Sequence, residues 1–341
     1  MLETSETQHT TTVVPTGPTT ACHFEVDPGT YDVEIRLGGD TPGSTRVGGG
    51  ARRSLLPETV TAPGERVTLS FTMNVRVPEG EPARPAGGPT GSDEESAGPG
   101  DGSPGLNLLI GGSDPAPAEI RVSPAGGETL QIFLAGDSTV CDQAHAPYTG
   151  WGQQLTQYFH RGVSVANYAS SGESTVSYLD DPRLFATVLG LMREGDLVLI
   201  QLAHNDKTTD GATYRANLEA LVDGVQGGGG RPVLLTPMVR HAFGPDGTLD
   251  NDAALLVNAL GVDHPAVIRS VAAARGVPLI DLTAASRAAV EASGPERSRA
   301  LYLCDEEQDH THTSEHGADV YADLVRAELL SQGLVPRHLF R

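Results

Sequence analysis

Ser138, Gly172, Asn205, Asp309 and His312 are the residue types that acyl transfer requires. Ser138 stands in Gly136-Asp137-Ser138-Thr139. A serine hydroxyl becomes a nucleophile only when a base takes its proton. Asp309-His310-Thr311-His312 can supply that base. A carboxylate three residues before an imidazole can hold the far ring nitrogen, fix the tautomer and support the imidazolium that proton transfer creates. Asn205, in Ala203-His204-Asn205-Asp206, carries an amide that can donate to a developing oxyanion. Gly172, in Asn167-Tyr168-Ala169-Ser170-Ser171-Gly172-Glu173-Ser174, lets the main chain approach a ligand and offer its N–H. Each segment also has a plainer reading. Gly-Asp-Ser favours a strand-end turn, and Asn205 or Asp206 suits a helix N-cap.

These residues work together only if the fold gathers them. From Leu130 onward, short apolar runs alternate with amphipathic ones. LQIFLAG, VSVANYA, DLVLIQLA, RPVLLTPM and VPLIDLT read as strands. YTGWGQQLTQYFH, PRLFATVLGLMR, TYRANLEALVDGV, HPAVIRSVAAAR and GADVYADLVRAELLSQG read as helices. This rhythm predicts a parallel sheet covered on both faces: a flavodoxin-like, three-layer α/β/α domain over 126–341. Ligands of such sheets bind at the carboxyl ends of the strands. Ser138, Gly172 and Asn205 each follow a strand, and Asp309 and His312 precede the last helix.

The earlier part of the chain reads differently. CHFEV, TYDVEIRLG, RVTLSFTMNVRV, LNLLIGG and AEIRVS are short strands broken by Gly and Pro. They predict a small antiparallel, sandwich-like β-domain over 21–125. In it Leu69, Phe71, Met73, Val75 and Val77 share one face. Residues 78–105 hold almost no apolar side chain and are expected to be a disordered insertion. The Thr-rich residues 1–20 are expected to be a disordered tail.

Composition narrows the partners. Lys and Arg number 23 against 44 Asp and Glu, a formal net charge of −21. That charge repels nucleic acid and anionic membranes. The three cysteines, Cys22, Cys141 and Cys304, are far apart and odd in number, which favours a reducing compartment. The first residues lack the features of a signal peptide, and no apolar run is long enough to span a bilayer. A cytoplasmic location is expected, or a secreted one if a leader precedes this chain. Cys304, His310, His312 and His316 lie close in sequence, but their spacing matches no common ligand pattern, so no metal is expected.

Taken as an ordered set, GDST, NYASSGES, AHND and DHTH resemble the conserved blocks of the SGNH (GDSL-type) hydrolase superfamily. LAGDSTVCDQ, YTGWGQ, VANYASSGEST, TPMVR and VPLIDLT are similar to its rhamnogalacturonan acetylesterase family. The resemblance covers about Leu130 to the C-terminus. It implies a serine esterase with Ser138 as nucleophile, His312 as general base and Asp309 orienting it. The N–H groups of Ser138 and Gly172 and the side chain of Asn205 then form the oxyanion hole. No cofactor is implied, and the partner is an acetylated oligosaccharide. No G-x-S-x-G surrounds Ser138, so this is not a nucleophile elbow. Two positions depart from the family pattern: Ala203 stands where glycine is usual, and Glu173 where some members carry arginine. Glu173 and the single tryptophan, Trp151, are candidate substrate-binding residues, Trp151 either as a sugar platform or as a core aromatic. The rival activities are a lipase- or thioesterase-like enzyme and a degenerate carbohydrate-binding protein.

Overall fold

A computed structural model describes residues 8–13, 19–77, 80–82 and 104–341. The N-terminal part contains β1 (His9–Thr12), β2 (Thr20–Phe24), β3 (Gly29–Leu37), β4 (Gly43–Gly49), β5 (Arg53–Thr61), β6 (Val67–Val75), β7 (Leu106–Asp114) and β8 (Pro117–Pro124). They form two antiparallel sheets, ordered β1-β8-β3-β6 and β2-β7-β4-β5. Val33, Ile35, Phe71, Met73, Ile120 and Val122 of the first sheet bury against Val47, Leu55, Leu106, Leu108 and Ile110 of the second. This is the expected sandwich.

Three details differ from the sequence reading. His9–Thr12 is not part of a disordered tail but an edge strand, in register from His9↔Val122 to Thr12↔Glu119. Its β-branched threonines suit a half-exposed edge, and pairing satisfies their backbone groups. Residues 1–7 and 14–18 of the tail, and residues 78–79 and 83–103 of the insertion, lie outside the described residues. In β6 the alternation stops at Phe71, after which Thr72 and Asn74 are buried as well as Met73 and Val75. The second face of β6 meets the α/β part of the chain, where Gly162 N–H donates to Thr72 Oγ1 (3.0 Å). Val77 lies beyond the strand and is exposed.

The remainder follows the predicted rhythm. It comprises β9 (Leu130–Gly136), α1 (Trp151–Leu155), β10 (Val163–Asn167), α2 (Thr175–Asp180), α3 (Phe185–Leu191), β11 (Leu197–Gln201) and α4 (Gly211–Gly227). Then come β12 (Arg231–Leu235), α5 (Asp252–Leu255), α6 (His264–Arg275), β13 (Leu279–Ile280), α7 (Leu282–Arg297), β14 (Tyr302–Leu303), β15 (Asp309–Thr313) and α8 (Glu315–Ser331). The sheet is parallel, ordered β10-β9-β11-β12-β13. Numbered from its own first strand this is 2-1-3-4-5, the flavodoxin order. Every residue of β11 is buried. Leu197 and Leu199 join a core with Trp151, Val290, Tyr321 and Val325 of α1, α7 and α8. Val198 and Ile200 join one with Tyr178, Phe185, Tyr214 and Ile268 of α2, α3, α4 and α6. Two covered faces explain why these strands are apolar throughout rather than alternating.

The two parts are locked by charge. Asp142 accepts from Arg76 of the sandwich side (2.9 Å) and from Asn167 Nδ2 (2.8 Å), and Arg53 lies 3.8 Å away. All three charged side chains are at most 5% exposed. Removing one member of such a set strands buried charge. Asp142→Ala is therefore expected to destabilise the protein by about 3–5 kcal/mol. The drop in urea midpoint checks this.

Candidate active site

Ser138 follows β9, the strand at which the order reverses. The neighbours of β9 are β10 and β11, whose ends lead to Gly172 and Asn205. Three adjacent parallel strands therefore deliver three of the candidate residues to the same edge of the sheet, where such sheets bind ligands. The Ser138 turn is tightly specified. Asp137 Oδ1 accepts from Thr139 N–H (2.9 Å) and Thr139 Oγ1 (2.8 Å), and its carbonyl accepts from Val140 and Cys141. A Cβ on Gly136 would sit 2.7 Å from the Val140 side chain and 3.0 Å from the Gln201 carbonyl, so only glycine fits this approach. Gln143 Nε2 donates to the Ser138 carbonyl (3.0 Å).

Ser138 Oγ lies 2.7 Å from His312 Nε2, and His312 Nδ1 lies 2.6 Å from Asp309 Oδ2. Asp309 Oδ1 accepts the N–H groups of Thr311 (2.7 Å) and His312 (3.0 Å). One carboxylate oxygen is thus engaged by the turn and the other is left for the imidazole. Burial pushes the Asp309 carboxyl pKa up, but these N–H donors and the imidazole outweigh it, so the net shift is downward. An ionised Asp309 takes the hydrogen of Nδ1, and Nε2 is left to accept from the Ser138 hydroxyl. The segment carrying both residues is not the loop that its polar sequence suggests. It is β15, paired antiparallel with β14.

Gly172 has φ +84°, and a Cβ there would meet nothing. Its glycine meets a conformational need rather than a spatial one. Asn205 Nδ2 donates to the Glu173 carbonyl (3.1 Å). An amide has two such hydrogens, so one remains for a ligand. Ala203 is buried, and its methyl group is compatible with this contact. His204 is buried, with Nδ1 3.3 Å from Asp137 Oδ2, and acts as a support.

The structure corrects one substrate-binding assignment. Trp151 is 1% exposed and offers no face to a sugar. Its Nε1 donates to Gln201 Oε1 (3.0 Å), and Gln201 Nε2 donates to Thr139 Oγ1 (2.8 Å), so it braces the Ser138 turn from within. The aromatic at the site is the half-buried Tyr148, whose ring meets that of His312 edge-on at 5.5 Å. Glu173 adjoins Asn205 through its main chain. Burial raises its pKa, and its carboxyl lies near Ser177, Asp181 and Arg183.

Sequence reasoning missed two contributors. Glu81, from the insertion, accepts from Ser171 N–H (2.8 Å) and Ser171 Oγ (3.0 Å), directly before Gly172. No periodicity marks it. Arg240 donates to the His204 carbonyl (3.3 Å) and, with Lys207, lines a cavity of about 430 Å³ beside Ala203 and His204. Its signal was the TPMVR block at a strand end. Of Cys304, His310, His312 and His316, which lie close in sequence, His312 faces Ser138 and Asp309 instead of the others. Among the described residues, no helix is long and apolar enough to cross a membrane.

Known proteins share the family and the fold. The family described as GDSL-like lipase/acylhydrolase matches residues 134–320. A rhamnogalacturonan acetylesterase of Bacillus subtilis is 36% identical over 221 residues, 60% of this chain and 91% of that protein. A probable rhamnogalacturonan acetylesterase of the same organism is 31% identical over 60% of this chain and 94% of its own length. The crystal structure of the Bacillus subtilis protein YxiM covers 96% of this chain and 88% of its own, at 22% identity and a TM-score of 0.54. That likeness extends the shared fold to the N-terminal sandwich. With the family's blocks on three adjacent strand ends and a relative aligned over 91% of its length, the chain belongs to the GDSL-like lipase/acylhydrolase family and is a carboxylic ester hydrolase.

Proposed function

We propose that this chain is a serine acetylesterase that removes O-acetyl groups from acidic, rhamnogalacturonan-type oligosaccharides. The unbroken proton path carries the reading: Asp309 to His312 at 2.6 Å and His312 to Ser138 at 2.7 Å. His312 Nε2 takes the Ser138 proton as Oγ attacks the acetyl carbonyl. The N–H groups of Ser138 and Gly172 and the Asn205 amide receive the oxyanion. Collapse breaks the ester bond. His312 returns the proton to the leaving sugar hydroxyl, and acetyl-Ser138 remains. The same histidine then deprotonates water, which releases acetate and restores the hydroxyl. Asn205→Ala is expected to lower kcat by about 10²–10³ with KM little changed, since the contact matters most in the transition state. Steady-state kinetics on p-nitrophenyl acetate check this.

Two names among the relatives point to rhamnogalacturonan, and the Arg240 cavity supports an acidic sugar. In a chain of net charge −21, its single lysine, Lys207, and Arg240 line one cavity beside the oxyanion residues. Asp252 also belongs to the lining, so a uronate carboxylate would sit at the Lys207 and Arg240 side of the cavity and accept a charge-assisted hydrogen bond there. Arg240→Ala is expected to raise KM for acetylated acidic oligosaccharides about tenfold, roughly 1.4 kcal/mol. It should also narrow their advantage over acetylated neutral xylo-oligosaccharides. An equal effect on both substrates would remove the uronate reading. Among the described residues, the exposed large apolar side chains, Val60, Val77, Val176, Leu191 and Leu260, belong to separate segments and form no acyl-chain groove along one element. Comparison of acetyl with octanoyl p-nitrophenyl esters tests the acyl preference. Faster turnover of octanoyl would replace acetylesterase with a lipase-like activity.

A further inference from the structure

Among the described residues, one group of ligand-type side chains lies outside the esterase site. His241, Cys304 and His310 each place a donor atom within 4.8 Å of the others; His241 and Cys304 are buried and His310 is exposed. The residues come from the segment after β12, the end of β14 and the start of β15. His241 Nε2 lies 2.9 Å from the Pro295 carbonyl and 3.1 Å from Ser298 Oγ. A carbonyl only accepts, so Nε2 carries the hydrogen and Nδ1 keeps its lone pair. A backbone carbonyl on the far nitrogen is how metal-bound imidazoles are usually oriented. Burial is the main cause that lowers the His241 pKa, which favours the neutral ring that metal binding needs.

The spacing also suits a metal. Cys304 Sγ lies 3.5 Å from His310 Nδ1. Bonds of about 2.3 Å to sulfur and 2.0–2.1 Å to nitrogen give a tetrahedral edge of roughly 3.5–3.6 Å. His310 Nδ1 also lies 3.1 Å from the His241 carbonyl. Binding would replace that contact, which an exposed ring can yield. One thiolate and two imidazoles suit zinc and exclude a site built for magnesium or calcium.

We propose that His241, Cys304 and His310 form a zinc site, with solvent in the fourth position. The metal would release the Cys304 thiol proton on binding. It would tie the β14–β15 hairpin, which carries Asp309 and His312, to the segment after β12. Those two segments already share a bond from His241 N–H to the His310 carbonyl (2.8 Å).

The test is titration of the chelator-treated 341-residue chain with Zn²⁺ by calorimetry, and with Co²⁺ by absorption. The expected result is one zinc per chain and a thiolate-to-cobalt charge-transfer band. Cys304→Ser and the surface variant His310→Ala should each weaken zinc binding at least ~100-fold, the upper end of what losing even a supporting residue costs. Circular dichroism confirms that both variants stay folded. His316→Ala and Cys22→Ser should bind as wild type does. Zinc bound equally by wild type and Cys304→Ser, binding lost in His312→Ala instead, or no stoichiometric binding would each overturn the proposal. Hydrolysis of p-nitrophenyl acetate by the metal-free protein reads the esterase assignment separately.

Discussion

Ser138→Ala is expected to lower kcat on p-nitrophenyl acetate by roughly 10⁶, to the background left by binding and the oxyanion donors. The variant has no atom that can form the acetyl-enzyme, so no neighbouring group compensates. Folding should be unaffected. The lost Oγ is bonded to His312, whose side chain is 28% exposed and can turn to water, so losing this one hydrogen bond costs about 0.5–1.5 kcal/mol, too little to unfold the protein. Thermal unfolding and turnover, measured on one preparation, separate the two effects. Turnover near wild type in a folded variant would move the nucleophile elsewhere.

Asp309→Asn is expected to cost about 10⁴ in kcat, some 5.4 kcal/mol of transition-state stabilisation. The cause is a tautomer rather than a lost contact. Asp309 Oδ2 takes the hydrogen of His312 Nδ1 at 2.6 Å. An amide nitrogen there would donate to Nδ1 and drive the hydrogen to Nε2, which then cannot accept from Ser138. KM should barely move, because the ground-state contacts to substrate remain. Asp309→Ala leaves the tautomer free rather than wrong, so it should retain more activity than Asp309→Asn. The reverse order, or a loss below about tenfold in Asp309→Asn, would mean that the carboxylate does not set the tautomer.

The parts of the site that rest on strand ends were legible in the residues. A fully buried parallel strand must end in a turn at the sheet edge. A chain that places Gly-Asp-Ser, Ser-Ser-Gly and His-Asn-Asp after successive apolar runs therefore brings them together. Where side chains from distant segments settle the outcome, local pattern was silent. Trp151 at a glycine-rich helix start could face either way, and Gln201, fifty residues on, decides that it faces inward. Glu81 sits in a stretch with no periodicity. It is fixed by the two donors of Ser171 rather than by any tendency of its own segment. Asp309–Thr313 has no apolar alternation, yet it becomes a strand because β14 offers it a partner. The threonines of His9–Thr12 likewise read as tail until β8 offers an open edge. In each case pairing or burial supplied by another segment overrode a weak local preference.

Labelling with a fluorophosphonate, followed by peptide mapping, bears most directly on the claim that Ser138 is an activated nucleophile. One adduct per chain is expected, on the peptide containing Ser138, formed slowly or not at all in His312→Ala. An adduct on a different residue, or an unlabelled protein that keeps full esterase turnover, would contradict it.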